Sequence, residues 1–212
     1  CGGQYIIEVT DANGCVQEHT YEVKGDPTFA NSLINIDENN LKLSFDQYGG
    51  IGYSFTGAGE GITYKSNNHL IKEMGVSIGF DQNDVRSYRE KDFIIDKSAD
   101  QNTTSSLHFS NAQKTVTGTL KTKHNSSEAN IKLTQTAYAW STPNHTDYVI
   151  YEYTLLNTNE TNLKDVYLGI FTDWFIGDGS NNNAQYDPEL DLGYVFEPQG
   201  VYAGVKPLRS KK

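Results

Sequence analysis

The chain has 212 residues, 36% of them apolar and 21% charged, and a formal net charge of -10 at neutral pH. An acidic surface of that strength repels phosphate backbones, which argues against nucleic-acid binding. No apolar run is long enough to cross a bilayer as a helix, so no membrane insertion of that kind is expected.

A chain of this length suits one good-sized domain, or one domain and a piece of another. It carries 14 Tyr, 9 Phe and 19 Gly but one Met. Helix-favouring runs of Ala, Leu, Glu and Lys are nearly absent, while Tyr, Thr, Val and Ile suit pleated surfaces. The expected class is all-β.

Residues 4–10 (QYIIEVT) alternate as a strand. Asp11-Ala12-Asn13-Gly14 is a tight turn, because Asn-Gly accepts positive φ. Cys15 to Val23 is the return strand, and this first hairpin, about 25 residues long, is marginal unless it packs on something. Residues 26–40, with Pro27 and Asp37-Glu38-Asn39-Asn40, read as a linker. From residue 41 a long β region begins. Leu41, Leu43 and Phe45 alternate with polar residues, and short strands follow at 51–55 and 62–64. His69–Phe80 is a buried-looking run, and 92–95 is a further strand. Residues 97–106 read as a polar loop. Longer strands are expected at 115–123, 129–140, 148–157 and 166–174, then an Asn/Asp-rich loop at 177–189 and strands at 193–196 and 201–205. Long strands joined by polar loops point to an antiparallel β-sandwich over 41–212.

Several motifs bear on function. Gly75-Val76-Ser77-Ile78-Gly79 matches the G-x-S-x-G of nucleophile elbows, which need a strand-to-helix turn, a base and an oxyanion hole. The following Phe80-Asp81-Gln82-Asn83-Asp84 opens a turn instead, and His108, His124 and His145 stand in no recognisable setting. Glycines that permit close strand packing are the simpler reading, with a hydrolase using Ser77 as the alternative. Gly57, Gly59 and Gly61 resemble half of a dinucleotide loop, but no helix follows, so a hairpin turn is expected. Two pairings are open for the cysteines: Cys1 with Cys15, or Cys15 with a cysteine upstream.

The stretch 173–191 is dense in oxygen ligands. Asp173, Asp178, Asn181, Asn183 and Asp187, with Asp191 beyond them, are candidates for calcium, which takes six to eight oxygens. The EF-hand pattern is absent, and turn-forming residues in a polar loop are the competing reading. Trp140, Trp174 and Tyr186 are candidates for stacking on sugars, against the competing reading that they are core.

Two stretches resemble known families. Residues 3–15 (GQYIIEVTDANGC) resemble the final strands of gliding-motility adhesin repeats and PKD-like, immunoglobulin-like modules. Gly3, Tyr5, Ile7, Val9, Thr10, Asp11, Asn13, Gly14 and Cys15 carry that likeness. Residues 41–205 resemble the β-rich region that follows the catalytic domain of exported bacterial subtilisin-like serine proteases. There the carriers are Gly52-Tyr53, Gly59–Tyr64, Leu70–Gly79, Asp92-Phe93, Tyr148–Asn157, Tyr167–Trp174, Asn183-Ala184 and Tyr186-Asp187. The resemblance implies an extracellular or cell-surface protein of bacterial origin, and a non-catalytic accessory module beside an active domain of the same polypeptide. It assigns no catalytic residue here. A carbohydrate- or protein-binding adhesin module is the alternative, with glycans or cell-surface proteins as partners.

Overall fold

A computed structural model describes residues 3–10, 16–23, 33–46, 48–52, 61–65, 68–80, 84–90, 92–101, 111–123, 130–198 and 200–208. The chain divides into two compact units, Cys1–Ser32 and Leu33–Lys212. No helix occurs among the described residues.

The first unit is a two-stranded antiparallel hairpin. Strands β1 (Gly3–Thr10) and β2 (Val16–Val23) pair from Gly3 opposite Val23 to Thr10 opposite Val16. Cys1, Cys15 and the Asn13-Gly14 turn lie outside the described residues.

The second unit is β-sandwich-like and all its strand pairs are antiparallel. One sheet contains β3 (Ile34–Ile36), β4 (Leu41–Phe45), β5 (Gly50–Ile51), β6 (Ile62–Tyr64), β7 (Asn68–Gly79), β8 (Val85–Ser87) and β13 (Tyr167–Trp174). The other runs in the order β12 (Ile150–Asn157), β11 (Ile131–Ala139), β10 (Lys114–Thr122), β9 (Phe93–Gln101). A third, three-stranded meander joins β14 (Asn183–Asp187), β15 (Leu192–Phe196) and β16 (Tyr202–Val205).

Strand alternation aims one face of each large sheet inward. Ile36, Phe45, Ile51 and Met74 from the first sheet meet Val116, Ala137 and Ala139 from the second. Val76 and Ile78 meet Leu120, Ile131 and Leu133 further along. Most are under 2% exposed, and each buried Val, Leu, Ile or Phe among them contributes roughly 1.5–3 kcal/mol by leaving water. Val195 of the meander joins the first cluster, with Val201, Ala203 and Val205 packed against it. That contact seats the meander on the sandwich.

The connection between β11 and β12 is tied down by polar bonds. Asn40 Nδ2 donates to Asp147 Oδ1 at 2.7 Å, Tyr64 OH to the same oxygen at 3.0 Å, and Asn39 Nδ2 to the Tyr148 carbonyl at 2.8 Å. The Asn40 and Tyr64 hydrogen bonds hold the Asp147 carboxyl below its ordinary range.

The structure corrects three expectations. The linker expected at 26–40 contains β3, because Ile34 and Ile36 are buried while Asn35 between them is exposed. The polar stretch beginning at residue 97 continues β9 as far as Gln101, pairing with β10. The Asn/Asp-rich loop expected at 177–189 contains β14, whose backbone pairs with β15 although its side chains show no alternation of burial.

Candidate functional site

The meander presents two unlike faces. Pairing fixes them: Asn183 stands opposite Phe196 and Gln185 opposite Tyr194, then Phe196 opposite Tyr202 and Tyr194 opposite Gly204. Since Val195, Ala203 and Val205 turn to the core, alternation turns Tyr194, Phe196 and Tyr202 the other way. Phe196 and Tyr202 stack with ring centroids 5.1 Å apart and planes 13° apart. Tyr194 lies 5.9 Å from Phe196 and 6.3 Å from Tyr202. Its hydroxyl donates to Gln185 Oε1 at 2.6 Å. The face therefore combines three aromatic rings with two side-chain amides.

The turn leading into the meander is built by an amide that sequence reasoning passed over. Asn182 Oδ1 accepts from the Ile176 amide and its Nδ2 donates to the Ile176 carbonyl, both at 2.9 Å. One side chain thereby imitates a strand partner for Ile176, which is 2% exposed. Losing both bonds should cost about 1–3 kcal/mol. Asn182→Ala is expected to lower the melting temperature accordingly, whereas Asn181→Ala, at an exposed position, should leave it unchanged.

The acidic candidates for calcium do different local work. Asp178 Oδ1 accepts from the Ser180 amide and hydroxyl at 2.9 and 2.6 Å, and these bonds, the hydroxyl foremost, lower its pKa. Asp187 Oδ1 accepts from the amides of Glu189 and Leu190. Asn181 lends its carbonyl to Asn183 Nδ2 at 3.1 Å. Asp191 accepts from the Tyr186 hydroxyl at 2.6 Å, a bond that raises the Tyr186 pKa. Asp173 sits on β13 opposite Glu73. Among the described residues no group of three or more His, Cys, Asp or Glu converges as a metal site would require.

The three aromatic candidates are dispersed. Trp140 is 5% exposed, its indole donating to Asn111 Oδ1 and its ring against Tyr138, His145 and Tyr148. His145 Nδ1 and the Tyr148 hydroxyl are hydrogen-bonded. Trp174 packs on the core cluster. Tyr186 is exposed, on the opposite face of β14 from Asn183 and Gln185. The face that does gather aromatics uses Tyr194, Phe196 and Tyr202. Their Y-x-F spacing was visible in the sequence, but the residue standing beside them across the strands was not.

Ser77 lies mid-strand in β7, between buried Val76 and Ile78, and its hydroxyl donates to Ser87 Oγ at 3.3 Å. No strand-to-helix turn occurs there. Gly75 has a packing role instead: it stands opposite Gly50, and the Tyr88 ring lies over both. Gly57 and Gly59 lie outside the described residues.

The class that fold and site define is an antiparallel, sandwich-like all-β protein with an outward aromatic face. Comparisons with protein families, with curated proteins and with solved structures returned no match to this chain.

Proposed function

We propose that this chain is a non-catalytic accessory module of a larger exported cell-surface protein, positioned against a neighbouring domain of the same polypeptide. The supporting observation is an apolar row in the outer part of the first sheet. Tyr167 pairs with Gly79 and Gly79 with Val85. Tyr167 is 68% exposed and Val85 54%, and their side chains meet over Gly79 on one face of the sheet. A contiguous apolar patch of this kind marks a contact surface. The likeness of 41–205 to the region beyond the catalytic domain of subtilisin-like proteases makes such a domain the expected neighbour.

An antiserum against this chain should detect, in the surface or extracellular fraction of the source cells, a polypeptide well above 23.6 kDa. Detection only in the cytoplasm, or only at the mass of this chain, would overturn the proposal. The pair Tyr167→Ser and Val85→Ser should leave the melting temperature of the isolated chain nearly unchanged, since exposed substitutions usually stay within about 0.5 kcal/mol. In the parent polypeptide the same pair should speed limited proteolysis between this module and its neighbour.

A further inference from the structure

We infer that the outward face of the β14–β15–β16 meander binds a neutral carbohydrate, with Tyr202 as the ring on which a sugar stacks. Tyr202 stands on the edge strand and is 66% exposed. Phe196 stacks against its ring, and the exposed remainder is available to a ligand. A pyranose offers a C–H face that suits an aromatic ring and hydroxyls that suit amides. The meander supplies both in register. Asn183, Phe196 and Tyr202 form one cross-strand row, and Gln185, Tyr194 and Gly204 the next. The outer members of a row are two strand spacings apart, about 10 Å, a reach suited to two sugar rings.

The amides are oriented for the task. Gln185 Oε1 is held by the Tyr194 hydroxyl, so its Nε2 remains to donate outward. Asn183 donates through Nδ2 to the Asn181 carbonyl, so its Oδ1 remains to accept. Gly204 lets the Leu192 side chain pack close to the sheet beside Tyr202. A Cβ there would stand 3.0 Å from the Gly193 carbonyl oxygen and 2.8 Å from Leu192 Cδ1.

Two observations select the occupant. The chain as a whole carries a net charge of -10, so anionic polymers are repelled and a neutral ligand is favoured. Three aromatic side chains expose at most a few hundred Å² between them, well short of the roughly 800 Å² per partner of a stable protein interface. A small polyhydroxylated ligand fits that area and a protein does not. This inference uses none of the residues of the β13 contact surface and stands independently of it.

The test is affinity electrophoresis of the whole chain through gels containing a neutral β-1,4-glucan, a mannan, a xylan or, as the anionic arm, alginate. Calorimetry with the matching hexasaccharide then follows. At least one neutral polysaccharide should retard the protein and alginate should not. Tyr202→Ala should weaken binding about tenfold without changing the melting temperature, and Tyr202→Phe should retain it. Gln185→Ala should also weaken it, while Tyr186→Ala, an equally exposed tyrosine on the other face, should have no effect. The inference is overturned if no neutral polysaccharide retards the chain, if alginate binds more tightly, or if Tyr202→Ala binds as well as the parent.

Discussion

Gly75→Ala is expected to lower stability by about 2–3 kcal/mol, while Gly79→Ala, four residues along the same strand, leaves it unchanged or raises it by up to about 1 kcal/mol. Both glycines belong to the same G-x-S-x-G pattern and both face outward on β7. Their surroundings differ. A Cβ on Gly75 would lie 2.6 Å from Tyr88 Cδ1 and 2.8 Å from its Cγ. The ring cannot retreat far, because it also spans Gly50, where a Cβ would lie 2.3 Å from Tyr88 Cζ. Tyr88 is 4% exposed, so the substitution either displaces a buried ring or parts β5 from β7. A Cβ on Gly79 meets Tyr167 Cβ and Val85 Cγ2 at 3.9 Å, ordinary contact. Thermal melts of the two variants should therefore differ by roughly 5–10 °C for a chain of this size. In a Tyr88→Ala background the cost of Gly75→Ala should shrink, since the clashing partner is gone. Equal effects of the two alanines would refute the packing explanation.

Gln135→Met is expected to act in the opposite direction, raising stability by about 1–3 kcal/mol. Gln135 is 1% exposed on the inner face of β11, and neither its Nε2 nor its Oε1 has a hydrogen-bond partner. Its register neighbour Tyr153 and the next inward residue Tyr151 also carry buried, unpartnered hydroxyls. Burial pushes both phenols well above their ordinary pKa. An unpaired buried amide costs the full desolvation of its groups, and an apolar side chain of similar shape removes that cost. Methionine adapts to the space between Leu120, Val76 and the turn at Gly49. Tyr153→Phe should add a smaller gain. A fall in melting temperature for Gln135→Met would instead show that internal water satisfies the amide, as buried waters commonly do.

The acidic stretch 173–191 shows how far pattern reading carries and where it stops. Oxygen-rich side chains in one stretch suit either a cation or a set of turns. The choice depends on whether the oxygens converge, and Asp178, Asp187 and Asp191 each spend a carboxylate oxygen on a bond two to five residues away. Local hydrogen bonds of this kind compete directly with convergence on a shared centre. The aromatic residues show the same limit. Tyr and Trp counts fit a sugar-binding surface or a core equally well, and only cross-strand pairing separated Trp140 and Trp174 from the face built by Tyr194, Phe196 and Tyr202.

What the sequence determined by itself is the class and most of the strands. Period-two alternation at Leu41–Phe45, and the long buried-looking run of β7, are local properties of the chain, and burial follows from them. The tertiary structure decided what alternation cannot encode. The strand at Asn183–Asp187 is held by backbone pairing with β15 and buries neither of its faces. The pairing of Gly50 with Gly75 beneath Tyr88 joins residues far apart in the chain. The outward aromatic face arises for the same reason, since side chains that share a sheet face are set by register between strands, and register is a long-range property of the fold.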